Sequence, residues 1–163
     1  MTAYISRVVL DAIRAEAARA GEEECCGLLI AEANARPGYI DAILPASNVA
    51  ADRRRRFEID PAVLIAAHRN ERSSGYRIVG CYHSHPGGDL SPSPEDAAQA
   101  EANGWLWAIC AGPTWQVRLW RAIEDGPVHG RFAAVELHVE GPTKPPFAPS
   151  PTQSLASPPR SRH

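Results

Sequence analysis

Nowhere in this 163-residue sequence does an apolar run approach the ~20 residues that a membrane-spanning helix needs. The N-terminus also lacks the charged, apolar and small-residue zones of a secretory signal peptide. These two absences lead us to expect a cytoplasmic protein with no membrane contact. An excess of one charge sign is missing as well. The formal net charge is −2, so no nucleic-acid footprint is expected. Cysteine is sparse and shows no CxxC spacing: Cys25, Cys26, Cys81 and Cys110 lie in or beside apolar stretches. In a reducing compartment they read as small buried hydrophobes without disulfides, and we assign them no chemistry.

What is present is ordinary for one folded unit. A chain with 44% apolar and 22% charged residues can bury a proper core at this length. Residues 6–20 read as a helix, because Val9, Leu10, Ile13 and Ala17 recur on one face and Gly21 stops the pattern. Residues 25–31 form a nearly continuous apolar run, expected to be a buried strand, and 39–44 a second strand. Asp60-Pro61 supplies a cap and a first helical proline, predicting a helix to about residue 73 that buries Val63, Leu64 and Ala67. A strand over 76–82 leads into a loop rich in glycine and proline. A further short helix then opens at Ser93 and should reach Asn103-Gly104. Strands over 105–111, 115–123 and 131–140 follow, separated by Gly-Pro and Asp-Gly-Pro turns.

From residue 141 the composition shifts: seven of the 15 prolines fall in the last 23 residues, among serine and threonine. Such a segment cannot bury enough surface to offset its ordering entropy. We therefore expect a domain over 1–140 and a Pro/Ser-rich disordered tail over 141–163. Interleaved helices and strands, with late strands joined by short turns, suit an α+β fold with a mixed sheet flanked by helices.

The chemistry concentrates in His83-Ser84-His85-Pro86. If the strand over 76–82 extends this far, the two imidazoles point to one side and can share a metal. Asp96, at the start of the next helix, is placed to be a third ligand, and two histidines with a carboxylate suit a catalytic zinc. Read alone, Ser93 and Asp96 also form a capping box, and the two roles are compatible. A hydrolase needs a general base besides the metal. Glu22, Glu23 and Glu24 are candidates, and spacing does not choose among them.

Three motifs together resemble the JAB/MPN (JAMM) metallopeptidases, in particular their small stand-alone prokaryotic branch. They are Glu24-Cys25-Cys26-Gly27, His83-Ser84-His85-Pro86 and Ser93-Pro94-Glu95-Asp96, in the family's order. The likeness covers roughly residues 4–123 and departs at no metal or catalytic position. It implies Glu24 as general acid/base, His83, His85 and Asp96 as ligands of one zinc per chain, and Ser93 as an oxyanion partner. It also implies a curved, largely antiparallel sheet between helices, with a cytidine-deaminase-like architecture.

The same resemblance implies cleavage after the Gly-Gly tail of a ubiquitin-like protein, and among small prokaryotic members a ubiquitin-like sulfur carrier. A strand-like docking of that tail on a sheet edge would suit a glycine-rich ligand. Three alternatives stay open: a zinc hydrolase of short peptides or small amides, a deconjugase of a bacterial ubiquitin-like system, and a non-catalytic scaffold. The run Arg53-Arg54-Arg55-Arg56 reads either as a solvated loop or as a docking patch for an acidic partner. Trp105, Trp107, Trp115, Trp120 and Phe57 read as core. Oligomeric state is not readable from the one sequence.

Overall fold

The computed structural model describes residues 1–141 of the chain, so the expected tail lies, but for Gly141, outside the described residues. Helix α1 (Arg7–Ala20) begins where Ser6 Oγ accepts the Val9 N–H and ends at Gly21, whose φ of 62° favours glycine. Its buried residues are Val9, Leu10, Ile13 and Ala17, the stripe that the periodicity predicts. Helix α2 (Pro61–Glu71) is capped by Asp60, which accepts from Ala62, and ends two residues before the expected position. Only Ala67 is fully buried there; Val63 and Leu64 are half-covered.

Eight strands make one curved sheet: β1 (Thr2–Ser6), β2 (Cys26–Glu32), β3 (Tyr39–Ile40), β4 (Ala42–Ala46), β5 (Tyr76–His85), β6 (Leu106–Ala111), β7 (Gln116–Gly126) and β8 (Gly130–Glu140). Their order is β3-β1-β8-β7-β6-β5-β2-β4. Antiparallel pairings join β2 to β4 and β5, and β7 to β6 and β8; β1 with β3, β1 with β8 and β5 with β6 run parallel. The mixed α+β expectation therefore holds.

Two differences from the sequence reading have local causes. The strand expected over 39–44 is split at Asp41, where pairing passes from β1 to β2 and the Asp41 side chain accepts the Glu32 N–H. The helix opening at Ser93, α3 (Pro94–Gln99), stops well short of Gly104. Ala100 turns to ψ 137° and buries its methyl among Cys81, Trp107 and Trp120. β1 was not expected at all.

α1 covers one face of the sheet, packing with Ile5, Leu29, Tyr82 and Ala108. The opposite face carries Cys26, Cys81, Trp107, Ile109 and Phe132, with Phe57 laid over them. α2 closes the neighbouring part of that face on Leu28, Ile30 and Ile78. Trp107 and Trp120 are buried and Trp105 and Trp115 half-buried, in keeping with packing roles. All four cysteines are free and buried, and burial pushes the Cys25 thiol up to about 11 and Cys26 up to about 12. Neither is a thiolate at neutral pH, which agrees with assigning them no chemistry.

One irregularity aims the site. Across β2 and β5, Leu29 faces Gly80 while Ile30 faces Ile78, leaving Val79 as the extra residue of a β-bulge. Before it, even-numbered Tyr76 and Ile78 point to the α2 face; after it, odd-numbered Cys81 and His83 do. Gly80 is required here, because a Cβ would lie 1.8 Å from the Leu106 carbonyl oxygen of β6.

Candidate metal centre

β5 extends through His85, three residues past the predicted end, so His83 and His85 project from the same face of one strand. Ser84, between them, points the other way: its hydroxyl accepts the Cys25 N–H at 2.8 Å and its N–H donates to the Cys25 carbonyl at 3.1 Å. That double tie brings Glu24, just upstream of β2, beside the histidines. α3 enters from the loop with Asp96 in its first turn. Ser93 Oγ accepts the Asp96 N–H at 3.0 Å and the Ser93 N–H donates to Asp96 Oδ2 at 2.9 Å, completing the capping box.

Three donor atoms converge. His83 Nε2 and His85 Nε2 are 3.0 Å apart, and Asp96 Oδ2 is 3.1 and 3.2 Å from them. Ligands at ~2.0–2.2 Å from a tetrahedral zinc stand about 3.3 Å from one another, so this triangle fits one face of such an ion. His85 Nδ1 donates to the Asp89 carbonyl at 2.6 Å, which leaves the Nε2 lone pair of the neutral ring facing the other two donors. A Glu24 carboxylate oxygen lies within 4.8 Å of ring nitrogens of both histidines. Glu24 Oε1 is buried and has no hydrogen-bond partner among the described residues. Glu24, His83 and Asp96 expose 4%, 0% and 3% of their surface, so bulk water screens these charges little.

Burial pushes the Glu24 carboxyl up to about 8; His85 opposes the shift and Asp96, Glu95 and Asp52 add to it. Burial lowers His83, against the pull of Asp96. Burial would lower His85 too, but its hydrogen bond to Asp96, the Asp96 charge and the Asp89 carbonyl together raise it. Burial alone would raise Asp96, yet His83 and then the bonds from His85 and Ser93 hold it well below the usual carboxylate range. Protons therefore compete with a metal for the His85 ring more strongly than for an ordinary imidazole. Zinc affinity will fall by about tenfold or more between pH 8 and pH 6, and uptake will release protons. Competition with a chromophoric chelator at the two pH values measures this, and equal affinities would refute it.

All five residues singled out in the sequence thus stand in or beside one cluster: Glu24, His83, His85 and Asp96 directly, and Ser93 through Asp96. Sequence reasoning missed two others. Phe57, expected as plain core, stacks on the His83 ring at 4.2 Å and 21°. Asn48 carried no signal in a single sequence, yet its side chain bonds the Glu24 carbonyl. The four arginines over 53–56 are exposed, with Arg53 and Arg54 paired to Glu23 and Glu22.

A sheet of this order carrying this donor set at the end of β5 defines a metallopeptidase of the JAMM type. The model of the family described as prokaryotic homologs of the JAB domain matches residues 6–123, and the chain belongs to that family. A desampylase of Haloferax volcanii is 37% identical over 103 residues, covering 63% of this chain and 73% of that protein. A probable TtuB-protein conjugate cleaving protease of Thermus thermophilus is 29% identical over 97 residues, covering 60% and 62%. The fold is shared with a protein from Desulfitobacterium hafniense solved in solution (TM-score 0.72, 22% identity, 86% of this chain and 94% of that one). It is also shared with a JAB1/MPN domain protein from Archaeoglobus fulgidus (TM-score 0.52, 21% identity, 84% and 98%).

Proposed function

We propose that this chain is a zinc-dependent isopeptidase that cleaves after the C-terminal Gly-Gly of a ubiquitin-like protein, a sulfur carrier in particular. The observation that carries this reading is the 3.0–3.2 Å triangle of His83, His85 and Asp96 with Glu24 beside it, whose Oε1 has no hydrogen-bond partner among the described residues. The three would hold one zinc, which supplies Lewis-acid polarisation of the scissile carbonyl and acidification of water. The names of two relatives, a desampylase and a TtuB-protein conjugate cleaving protease, support a protein conjugate as the substrate class.

The chain's own residues do the rest. Glu24, buried and with Oε1 unclaimed, takes a proton from the attacking water and passes it to the departing amine nitrogen. A C–O bond forms, a C–N bond breaks, and the proton crosses on one carboxylate. Burial raises the affinity of this carboxyl for a proton in the metal-free chain, and the charge of a bound zinc would oppose that shift and leave the carboxylate ionised to act as base. Ser93 Oγ accepts from Asp96, which leaves its hydroxyl hydrogen free to donate to the carbonyl oxygen as charge develops there.

The test is mass spectrometry of a ubiquitin-like sulfur carrier extended past its Gly-Gly, incubated with zinc-loaded protein. Cleavage after the second glycine is expected. An intact substrate, with zinc measured at one per chain, would overturn the substrate assignment and direct attention to short peptides and small amides.

A further inference from the structure

The Glu24 backbone is not held by the sheet. Its N–H donates to the Arg53 carbonyl at 2.7 Å, and its carbonyl accepts from Asn48 Nδ2 at 2.9 Å. Both partners belong to the loop over 48–58, which is pinched at its base by the Asn48–Ile59 bridge and the Val49 N–H bond to Glu58. Asn48 spends its whole hydrogen-bonding capacity inside that loop and on Glu24. The second Nδ2 hydrogen goes to the Arg56 carbonyl at 3.0 Å, while Oδ1 accepts from Ala50 at 3.0 Å and from Glu58 at 3.1 Å. Phe57 lies between two of these anchor points, residues 56 and 58.

Phe57 matters because of what it covers. His83 Nδ1 is buried with no hydrogen-bond partner among the described residues, so nothing holds this ring from its Nδ1 side as the Asp89 carbonyl holds His85. Packing does it instead: Phe57 lies flat on one face at 4.2 Å and Trp107 stands edge-on at 5.8 Å and 87°. A single amide therefore ties down the backbone of the glutamate and the loop that carries the aromatic clamp.

We infer that Asn48 is a positioning residue of this centre, setting the place of Glu24 and, through Phe57, the orientation of the His83 ring. The inference rests on the isopeptidase reading and adds to it a residue that touches neither substrate nor metal. The decisive substitution is Asn48→Asp, which keeps the single Oδ1 acceptor for Ala50 and Glu58 and removes both hydrogens donated to Glu24 and Arg56.

In the full-length, zinc-loaded chain, Asn48→Asp is expected to lower kcat about 10- to 100-fold, the usual cost of disturbing an outer-shell partner. KM should stay within about threefold and zinc at one per chain, because neither ligand set nor substrate surface changes. Without any substrate, hydrogen exchange at the Glu24 amide should accelerate about tenfold or more. The Ser84 amide, held by Cys25 on the sheet side, should exchange as in the parent. An unchanged kcat, or an unchanged Glu24 exchange rate, overturns the inference and leaves the isopeptidase reading standing. A joint fall of kcat, zinc content and melting temperature, with KM rising, overturns it too, by making Asn48 a plain structural residue. A parent that takes up no zinc overturns the isopeptidase reading, and the inference with it.

Discussion

Glu24→Gln will lower turnover about 10³-fold or more while zinc stays at one per chain, and it will make the metal-free protein more heat-stable at pH 8. The first half follows from shape: glutamine fills the same buried space but cannot accept and return a proton. The second follows from the carboxyl being raised from 4.5 to about 8 by burial. A group raised on folding contributes stability that is full below its unfolded value and is lost as pH climbs to the folded one. Between about pH 4.5 and 8 the unfolded chain releases this proton while the folded chain keeps it, so the equilibrium tilts towards unfolding. At pH 8 the buried carboxylate costs on the order of 2–4 kcal/mol, several degrees in melting temperature for a chain of this size. Calorimetry of the metal-free parent and variant should thus give nearly equal midpoints at pH 5 and a higher midpoint for the variant at pH 8. Retained turnover would remove Glu24 from the role of base. Equal midpoints at pH 8 would remove the account of a buried charge held against its solvation.

The motif His83-Ser84-His85 was legible because a strand alternates its side chains, and Ser93-Pro94-Glu95-Asp96 was legible because a helix start needs a cap. Both rules act within four residues. The features that could not be read act over longer distances. β1 has only five residues, and it is held parallel to β8 at the far end of the described chain, Thr2 beside Glu136. Nothing local distinguishes such a segment from a frayed lead into α1. The bulge at Val79 is invisible for the same reason, since it is defined by the register of β5 against β2. Without it, the odd-numbered His83 would share a face with Val79 rather than with Ile78. Asn48 is a further case: its four hydrogen bonds go to Glu24, Ala50, Arg56 and Glu58, and only the assembled loop brings those groups around one amide.

Asp96 is where cap and ligand meet in one side chain, and two substitutions separate them. Its Oδ2 accepts the Ser93 N–H at 2.9 Å and stands 3.1 and 3.2 Å from the two imidazoles. Asp96→Ala removes the carboxylate from all three partners. The Ser93 N–H loses its acceptor, the first turn of α3 loosens, and the donor triangle becomes a pair. We expect zinc affinity to drop about 10²-fold or more, turnover to vanish, and stability to fall by about 1 kcal/mol from the lost cap alone. Asp96→Asn retains a carbonyl oxygen that can accept from Ser93 but carries no charge for a metal. It should keep most of the cap while losing zinc nearly as severely as the alanine variant. His85 provides an internal check, because its raised affinity for a proton depends on the hydrogen bond and charge of Asp96. In Asp96→Asn the His85 ring should titrate at lower pH than in the metal-free parent, which NMR of the imidazole resonances measures. Zinc content by mass spectrometry and thermal midpoints complete the comparison. An Asp96→Asn protein that binds zinc as the parent does would make the cap the whole function of this residue. The third ligand would then have to be sought in the other carboxylate beside the two histidines, Glu24, and the general base elsewhere.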